Sequence, residues 1–311
     1  MILINTKKLI KCFIILFFCI NQTFAVENKI LLKIDNEIIT SFDIFNEIEY
    51  LSILNPQFKN LENKQILEIA KNSLVREKIK KIEVKKKFSE IKINNEYLNK
   101  IVQASFSQLN IENFNDLKNI LQKSNIDPDT IKQKISIEVM WNQLIYDKFN
   151  SKIKINIDQI KKNLETQQKE IVSYLLSEIV FIVDNETTLI NKTDIINKSI
   201  FDIGFKNTAL KYSISESSKF GGNLGWIEEG LLNSKIRDEI LNYEIGDHTK
   251  PILNSGSFLI LKIEDKKKIK KEINIETEMN RVITSSTNQQ LSQFSSIYFN
   301  KVKKDMTINE L

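Results

Sequence analysis

Side chains able to do chemistry are scarce in this 311-residue chain, and the scarcity narrows its function. His248, in Gly246-Asp247-His248-Thr249, is the only histidine. The two cysteines, Cys12 and Cys19, both sit in an N-terminal apolar run. A lone histidine without cysteine partners makes no zinc site, and no Ser-His-Asp arrangement gathers around it. His248 therefore reads as a surface-turn residue, with no metal expected. No phosphate-cradling glycine loop is present, so neither a nucleotide nor any other cofactor is expected. The distribution of glycine is the informative feature. All seven, Gly204, Gly221, Gly222, Gly225, Gly230, Gly246 and Gly256, fall in one segment. Three of them stand in Phe220-Gly221-Gly222-Asn223-Leu224-Gly225-Trp226-Ile227 with one of the two tryptophans. Glycine opens backbone conformations closed to other residues, so a compact, turn-rich unit is expected between stretches able to run as uninterrupted helix.

The first residues are read separately. Lys7, Lys8 and Lys11 precede the apolar run Cys12 to Ile20, and Thr23-Phe24-Ala25 brings a small residue before Val26. This is the pattern of a secretory signal, residues 1–25, with cleavage expected after Ala25. A spanning helix needs about 20 apolar residues; this run is shorter and no second one follows, so no integral membrane segment is expected after cleavage. Cys19 follows Phe17-Phe18 and not the small residues of a lipid-attachment site. The mature chain then has no cysteine, which excludes disulfides and thiolate chemistry although an exported compartment permits them. Removing three lysines and no acids takes the formal charge from +5 to +2, too near neutral for a nucleic-acid partner.

The elements that must position the glycine-rich stretch follow from periodicity. Residues 30–40 read as two short strands around Asp35-Asn36. Thr40 with Asp43 forms a capping-box variant opening a helix to about Leu54, before Pro56. From Glu62 to Phe88, Ile66, Ala70, Leu74, Ile79 and Ile82 keep helical spacing, and the lysine-rich end, Lys78 to Lys87, reads as a solvated face. Helices are expected at 95–109 and 112–124, from Asp127-Pro128 through Trp141 towards Phe149, and at 157–169. The texture changes at Ile171. Val172 to Val183 is strand-like, 187–203 and 205–213 are helical, and 225–227, 250–253 and 257–263 read as strands, an α+β unit. Lys266 to Lys271 reads as a solvated connection. Residues 275–303 form a last amphipathic helix, and Thr307-Ile308 adds a short strand.

Within 205–263 the order of features becomes specific. Phe205, Ala209, Ser213, Gly221-Gly222-Asn223-Leu224-Gly225-Trp226, Gly246-Asp247, Pro251-Ile252 and Gly256-Ser257-Phe258-Leu259-Ile260-Leu261-Lys262 together resemble a parvulin domain, the peptidyl-prolyl isomerase module. The signal, a start resembling Asn-x-x-Ile-Thr-x-x-Asp (Asn36, Ile39, Thr40, Asp43), the helical N-terminal region and the C-terminal helix extend this to a resemblance to SurA-like periplasmic chaperones, with one parvulin domain. The resemblance implies an α+β fold: a mainly helical domain, 26–169, completed by a C-terminal helix and strand, 266–311, and a parvulin-like domain, 170–265.

What the resemblance implies for the site divides in two. The apolar proline pocket is carried by Leu224, Ile227, Leu232 and Ile236. The polar array is replaced: Glu178 and Leu259 stand where the family has histidines, and Ser215 where it has cysteine or aspartate. Rotation about a peptide bond must overcome about 18–20 kcal/mol, and hydrogen bonds around the twisting amide are what an enzyme contributes; leucine gives none. Glu178 reads as a solvated strand-edge carboxylate. The resulting expectation is an ATP-independent periplasmic chaperone for unfolded envelope proteins, outer-membrane β-barrel precursors by resemblance, with isomerase activity weak or absent. The alternatives are an active isomerase with a variant polar set, Glu178 and Ser215, and a non-catalytic envelope adaptor with one folded partner.

Overall fold

Thr40 illustrates how local chemistry sets this architecture. In the computed structural model, which describes residues 28–106, 109–166, 170–183, 186–254, 256–270 and 275–311, its hydroxyl accepts from the Asp43 amide while the Asp43 carboxylate accepts from the Thr40 amide. This reciprocal cap starts α1 (Ser41–Leu54) directly from β2 (Glu37–Thr40), which is paired with β1 (Ile30–Ile34). The turn between the strands places Asp35 at φ 47°, a conformation Asp and Asn tolerate best after glycine. The expected signal segment lies outside the described residues.

A 3-10 turn (Pro56–Asn60) leads to α2 (Asn63–Lys87), followed by α3 (Asn95–Phe106), α4 (Phe114–Lys123), α5 (Pro128–Phe149) and α6 (Ile157–Thr166). Asp127 caps α5 through the amides of Asp129 and Thr130, with Pro128 in the first turn. The helices bury two apolar clusters. One joins Leu32, Ile34, Ile69, Ile79 and Trp141 to Phe299 and Val302 of the C-terminal helix α9 (Ile275–Lys304). The other joins Tyr50, Val102, Phe106, Leu117 and Ile131. Trp141 stacks on Tyr298 at 5.7 Å and Phe149 on Phe294 at 5.0 Å, so the chain's last helix completes its first domain. β7 (Ile308–Glu310) closes the small sheet in the order β2-β1-β7.

The second unit is a four-stranded antiparallel sheet ordered β4-β3-β6-β5, built from β3 (Glu170–Phe181), β4 (Asn223–Glu228), β5 (Ile252–Asn254) and β6 (Ser257–Lys270). Between β3 and β4 runs α7 (Glu186–Tyr212), broken at Gly204 (φ 79°, ψ 161°); this divides it into the two helices the sequence predicts. A 3-10 segment (Glu216–Phe220) precedes β4, and α8 (Ser234–Ile240) precedes β5. The fold is α+β, as expected.

Two expectations are corrected. Lys266, Lys267 and Lys268 are exposed, as expected, but they belong to no connection, because β6 continues through Lys270 against β3. Their ammonium groups reach over rings, Lys266 over Tyr174 at 5.0 Å and Lys267 over Trp226 at 3.9 Å, an arrangement in which long basic side chains cover apolar surface. The lysine-rich end of α2 is also not uniformly solvated. Lys80 is buried, Lys78, Lys81 and Lys85 surround Glu37, and Lys87 pairs with Asp147.

Candidate functional site

Alternation along β3 presents Leu176, Glu178 and Val180 on one face of the sheet, as the two-residue repeat of a strand requires. Leu259 and Leu261 of β6 pair with Val180 and Glu178 respectively, so they flank that face. Leu224 and Ile227 of β4, with Leu232 and Ile236 from the turn and helix beyond it, complete the walls of a cavity of about 300 Å³. The four residues predicted for the apolar pocket and two of the three at the polar positions, Glu178 and Leu259, are thus brought to one place. Ser215 lies behind it, buried and outside the lining.

Glycine is required here at one point in particular. Gly222 has φ +82°, and a Cβ added to it would lie 2.2 Å from the Glu178 carbonyl oxygen. The Gly222 carbonyl in turn accepts from the Glu178 amide at 2.8 Å. The Gly221-Gly222 pair therefore lets the chain close against β3 and enter β4 beside Glu178.

Glu178 is not the strand-edge carboxylate expected. β3 is paired on both sides, and the Glu178 side chain is partly buried and bonded. Ser217 Oγ donates to it at 2.8 Å. Ser217 lies 2.7 Å from Ser215 Oγ, which lies 3.0 Å from Ser213 Oγ; Ser213 accepts from the Val180 amide. Four residues thus form one hydroxyl chain ending on a carboxylate. Burial pushes the Glu178 carboxyl above the usual carboxylate range, more than the Ser217 and Ser215 hydroxyls hold it down. Ser213 and Ser217 were missed as members of this array. The signal available in the sequence is the alternating serines at 213, 215 and 217, which run from the end of α7 into the first turn of the 3-10 segment.

Leu259 is buried and supplies no donor. His248 is half-buried, bridged to Lys262 and tilted against Phe205 at 6.4 Å; it is held by a strand bridge and not in a free turn. Among the described residues no group of His, Cys, Asp and Glu could hold a metal.

The remaining wall of the cavity comes from α9, through Ser285, Asn288, Gln289, Ser292, Gln293 and Ser296. One helix therefore has two working faces: its aromatic side fills the helical core, and its amide and hydroxyl side roofs an apolar pocket. Arg281 ties α9 to β4 through Glu228 at 2.8 Å. On the opposite flank the 3-10 segment is clamped to the helices. Arg76 donates to the Ser213 and Leu210 carbonyls and to Ser218 Oγ. Glu138 accepts from Lys80 at 2.7 Å and from Lys219 at 2.5 Å, and Glu216 pairs with both lysines. Burial would raise the Glu138 carboxyl, but Lys219 and Lys80 overcome it and hold the group at about 2.

Comparison with known proteins agrees with this geometry. Residues 185–265 match the family described as Rotamase, PPIC-type PPIASE domain; β3 and Glu178 precede the match and join the unit through strand pairing. The chain is similar to Chaperone SurA of Nitrosococcus oceani, 23% identical over 185 residues covering 56% of this chain and 43% of the relative. It is similar also to Chaperone SurA of Yersinia pestis, 23% identical over 285 residues covering 85% and 64%. The chain thus spans from less than half to about two thirds of the length of these relatives. A solved structure reported among two SurA-like chaperones of Campylobacter jejuni, PEB4 and Cj1289, matches 91% of this chain and 99% of its own at 18% identity and a TM-score of 0.36. Over part of its length the chain is thus similar to SurA chaperones, and its residues 185–265 match a PpiC-type domain. Among the described residues no helix is long and apolar enough to cross a membrane.

Proposed function

We propose that this chain is a periplasmic, ATP-independent chaperone that holds unfolded envelope proteins, outer-membrane β-barrel precursors among them, and that its parvulin-type unit binds without efficient catalysis. The observation that carries this reading is the cavity itself. Leu224, Ile227, Leu232, Ile236 and Leu259 make an apolar floor facing a roof of α9 amides and hydroxyls. At about 300 Å³ it sits at the small end of ligand pockets. Apolar burial favours a proline ring or similar side chain by about 25 cal/mol per Å². The roof provides donors and acceptors for the main chain of an extended segment, the means by which peptide grooves gain affinity without reading sequence.

Weak catalysis follows from Leu259, which leaves the far side of the pocket without a donor to the twisting amide. One observation favours the rival reading of an active isomerase: the hydroxyl chain from Ser213 through Ser215 and Ser217 to Glu178 is a bonded polar array at the pocket wall.

The two readings separate in paired assays on the mature chain. An unfolded barrel protein is diluted from urea and its aggregation followed, while a proline-containing peptide is monitored for isomerisation. The holdase reading expects suppression of aggregation that weakens in Leu224→Asn and Ile236→Asn, with isomerisation near the uncatalysed rate. A rate gain lost in Glu178→Gln or Ser217→Ala establishes the isomerase instead, and no effect on aggregation refutes chaperone function.

A further inference from the structure

A second cavity, about 310 Å³, lies where α2, α7 and the end of α9 meet, apart from the proline-type pocket. Its walls carry four cations, Arg76, Lys192, Lys211 and Lys303, and one acid, Glu68. Lys211 is paired with Glu68 at 3.0 Å. Lys192 and Lys211 approach the same Tyr212 ring, at 4.8 and 5.2 Å from its centroid. Among the described residues neither Lys192 nor Lys303 forms an ion pair with a carboxylate. Burial, then Lys303 and Lys211, hold the Lys192 ammonium below its ordinary value, and burial with Arg76 does the same to Lys303. Like charges gathered in a recess are destabilising unless a counter-charge fills it. The recess is lined by cations from three elements and by the Asn72 and Asn300 side chains, so it offers both charge and neutral donors.

We propose that this cavity binds a compact phosphate dianion, held by Lys192, Lys211 and Lys303. With Glu68 subtracted the cations leave an excess of about three charges, which a dianion neutralises better than a single carboxylate. Lysine suits phosphate as a point charge. Because α2 belongs to the helical domain, α7 to the sheet unit and α9 to both contacts, an anion there joins all three. Free inorganic phosphate and the phosphomonoester headgroup of phosphatidic acid share this chemistry.

The experiment titrates the full mature chain with inorganic phosphate by calorimetry, at ionic strength held constant with chloride, and follows the thermal midpoint in parallel. In a second arm the protein is sedimented with phosphatidylcholine vesicles with and without phosphatidic acid. Saturable one-site phosphate binding with a raised midpoint is expected. Lys192→Met and Lys303→Met each weaken it by roughly tenfold or more, the loss of one charge-assisted contact, while Lys303→Arg retains it. Without phosphate the Met variants are at least as stable as the parent, since a repulsive charge has gone, and this separates lost binding from lost folding. Binding only to phosphatidic acid vesicles, with the same sensitivity to the two lysines, supports the site and assigns a lipid source. Absence of saturable binding in both arms, or binding indifferent to Lys192 and Lys303, overturns the proposal.

Discussion

Glu138→Gln tests how the two units are held together. The Glu138 carboxylate accepts from Lys80 at 2.7 Å and Lys219 at 2.5 Å, and its side chain is 17% exposed. The group sits at about 2 where an ordinary glutamate lies at 4.5, and each pKa unit is worth about 1.4 kcal/mol, so the charged form is stabilised by about 3 kcal/mol. Removing one partner of a buried pair independently suggests about 3–5 kcal/mol, because a buried charge is left uncompensated. Glu216 still reaches both lysines, so the lower figure is expected. That is a large fraction of the about 5–15 kcal/mol that holds a typical domain.

The assay uses the two tryptophans, one in each unit. Trp141 is buried in the helical core and Trp226 lies on β4. Urea unfolding of single-tryptophan variants should give one shared transition in the parent. In Glu138→Gln the Trp226 signal should move to lower urea, ahead of Trp141. The pH dependence has a definite sign. The folded-state pKa is depressed, so the stabilisation is fully present above about 4.5 and fades as pH falls towards about 2. The difference between parent and variant should shrink across that window. A difference under about 1 kcal/mol at neutral pH, the value of an exposed pair, or one that ignores pH, would falsify the assignment. Replacing Lys80, Glu138 and Lys219 by Met, Leu and Met together with Glu216→Gln should recover most of the loss, as apolar substitution of whole buried ion clusters does.

Three further outcomes follow from the site. Gly222→Ala places a Cβ against the Glu178 carbonyl at positive φ, so it should lower stability by more than about 1 kcal/mol in urea. Glu178→Gln should behave in the opposite sense to Glu138→Gln. Burial raises the Glu178 carboxyl, so its ionisation costs stability above the folded-state pKa and nothing below the unfolded value; the variant should be more stable at neutral pH, with the advantage gone near pH 4, where the carboxyl is largely protonated in both states. Arg281→Ala removes the tether to Glu228. It should change global stability by less than about 1 kcal/mol while speeding amide exchange around Ser285–Ser296, and unaltered exchange there would show that α9 is held over the pocket by packing alone.

Most of the helices were legible because their signals are local. Thr40 with Asp43 and Asp127 with Pro128 announce caps within four residues, and the structure uses both. Leu224, Ile227, Leu232 and Ile236 were named through the parvulin resemblance, and they line one cavity; the glycines mark where backbone must approach backbone beside it. The polar environment was not legible. Whether Glu178 is solvated depends on β3 being central, which is settled by β4 and β6, strands that begin 45 and 79 residues later in the chain. Lys80 looked like one of a solvated lysine run because its partners Glu138 and Glu216 lie on α5 and beyond α7. Ion pairs between distant segments have no local pattern. The extension of β6 through Lys270 was hidden by its lysines, whose charge suggested an irregular connection although Lys266 and Lys267, exposed as expected, lie on a paired strand with their ammonium groups over Tyr174 and Trp226.

The short run from Ser213 to Lys219 links what these perturbations touch. Ser213, Ser215 and Ser217 carry the hydroxyl chain to Glu178. Glu216, Ser218 and Lys219 reach the other way, to Lys80, Arg76 and Glu138 of the helical domain. One segment thus holds the pocket's carboxylate with some of its side chains and the domain interface with the others. Neighbouring side chains on so short a backbone cannot shift independently, so an arrangement that loosens the interface also moves the Ser217 hydroxyl relative to Glu178. The same segment leads into Gly221 and Gly222, where added side-chain atoms would collide with Lys206 and with the Glu178 carbonyl, so it has little room to relax at that end. One wall of the cavity is therefore coupled, through this one segment, to the pairing of the buried charges at Glu138.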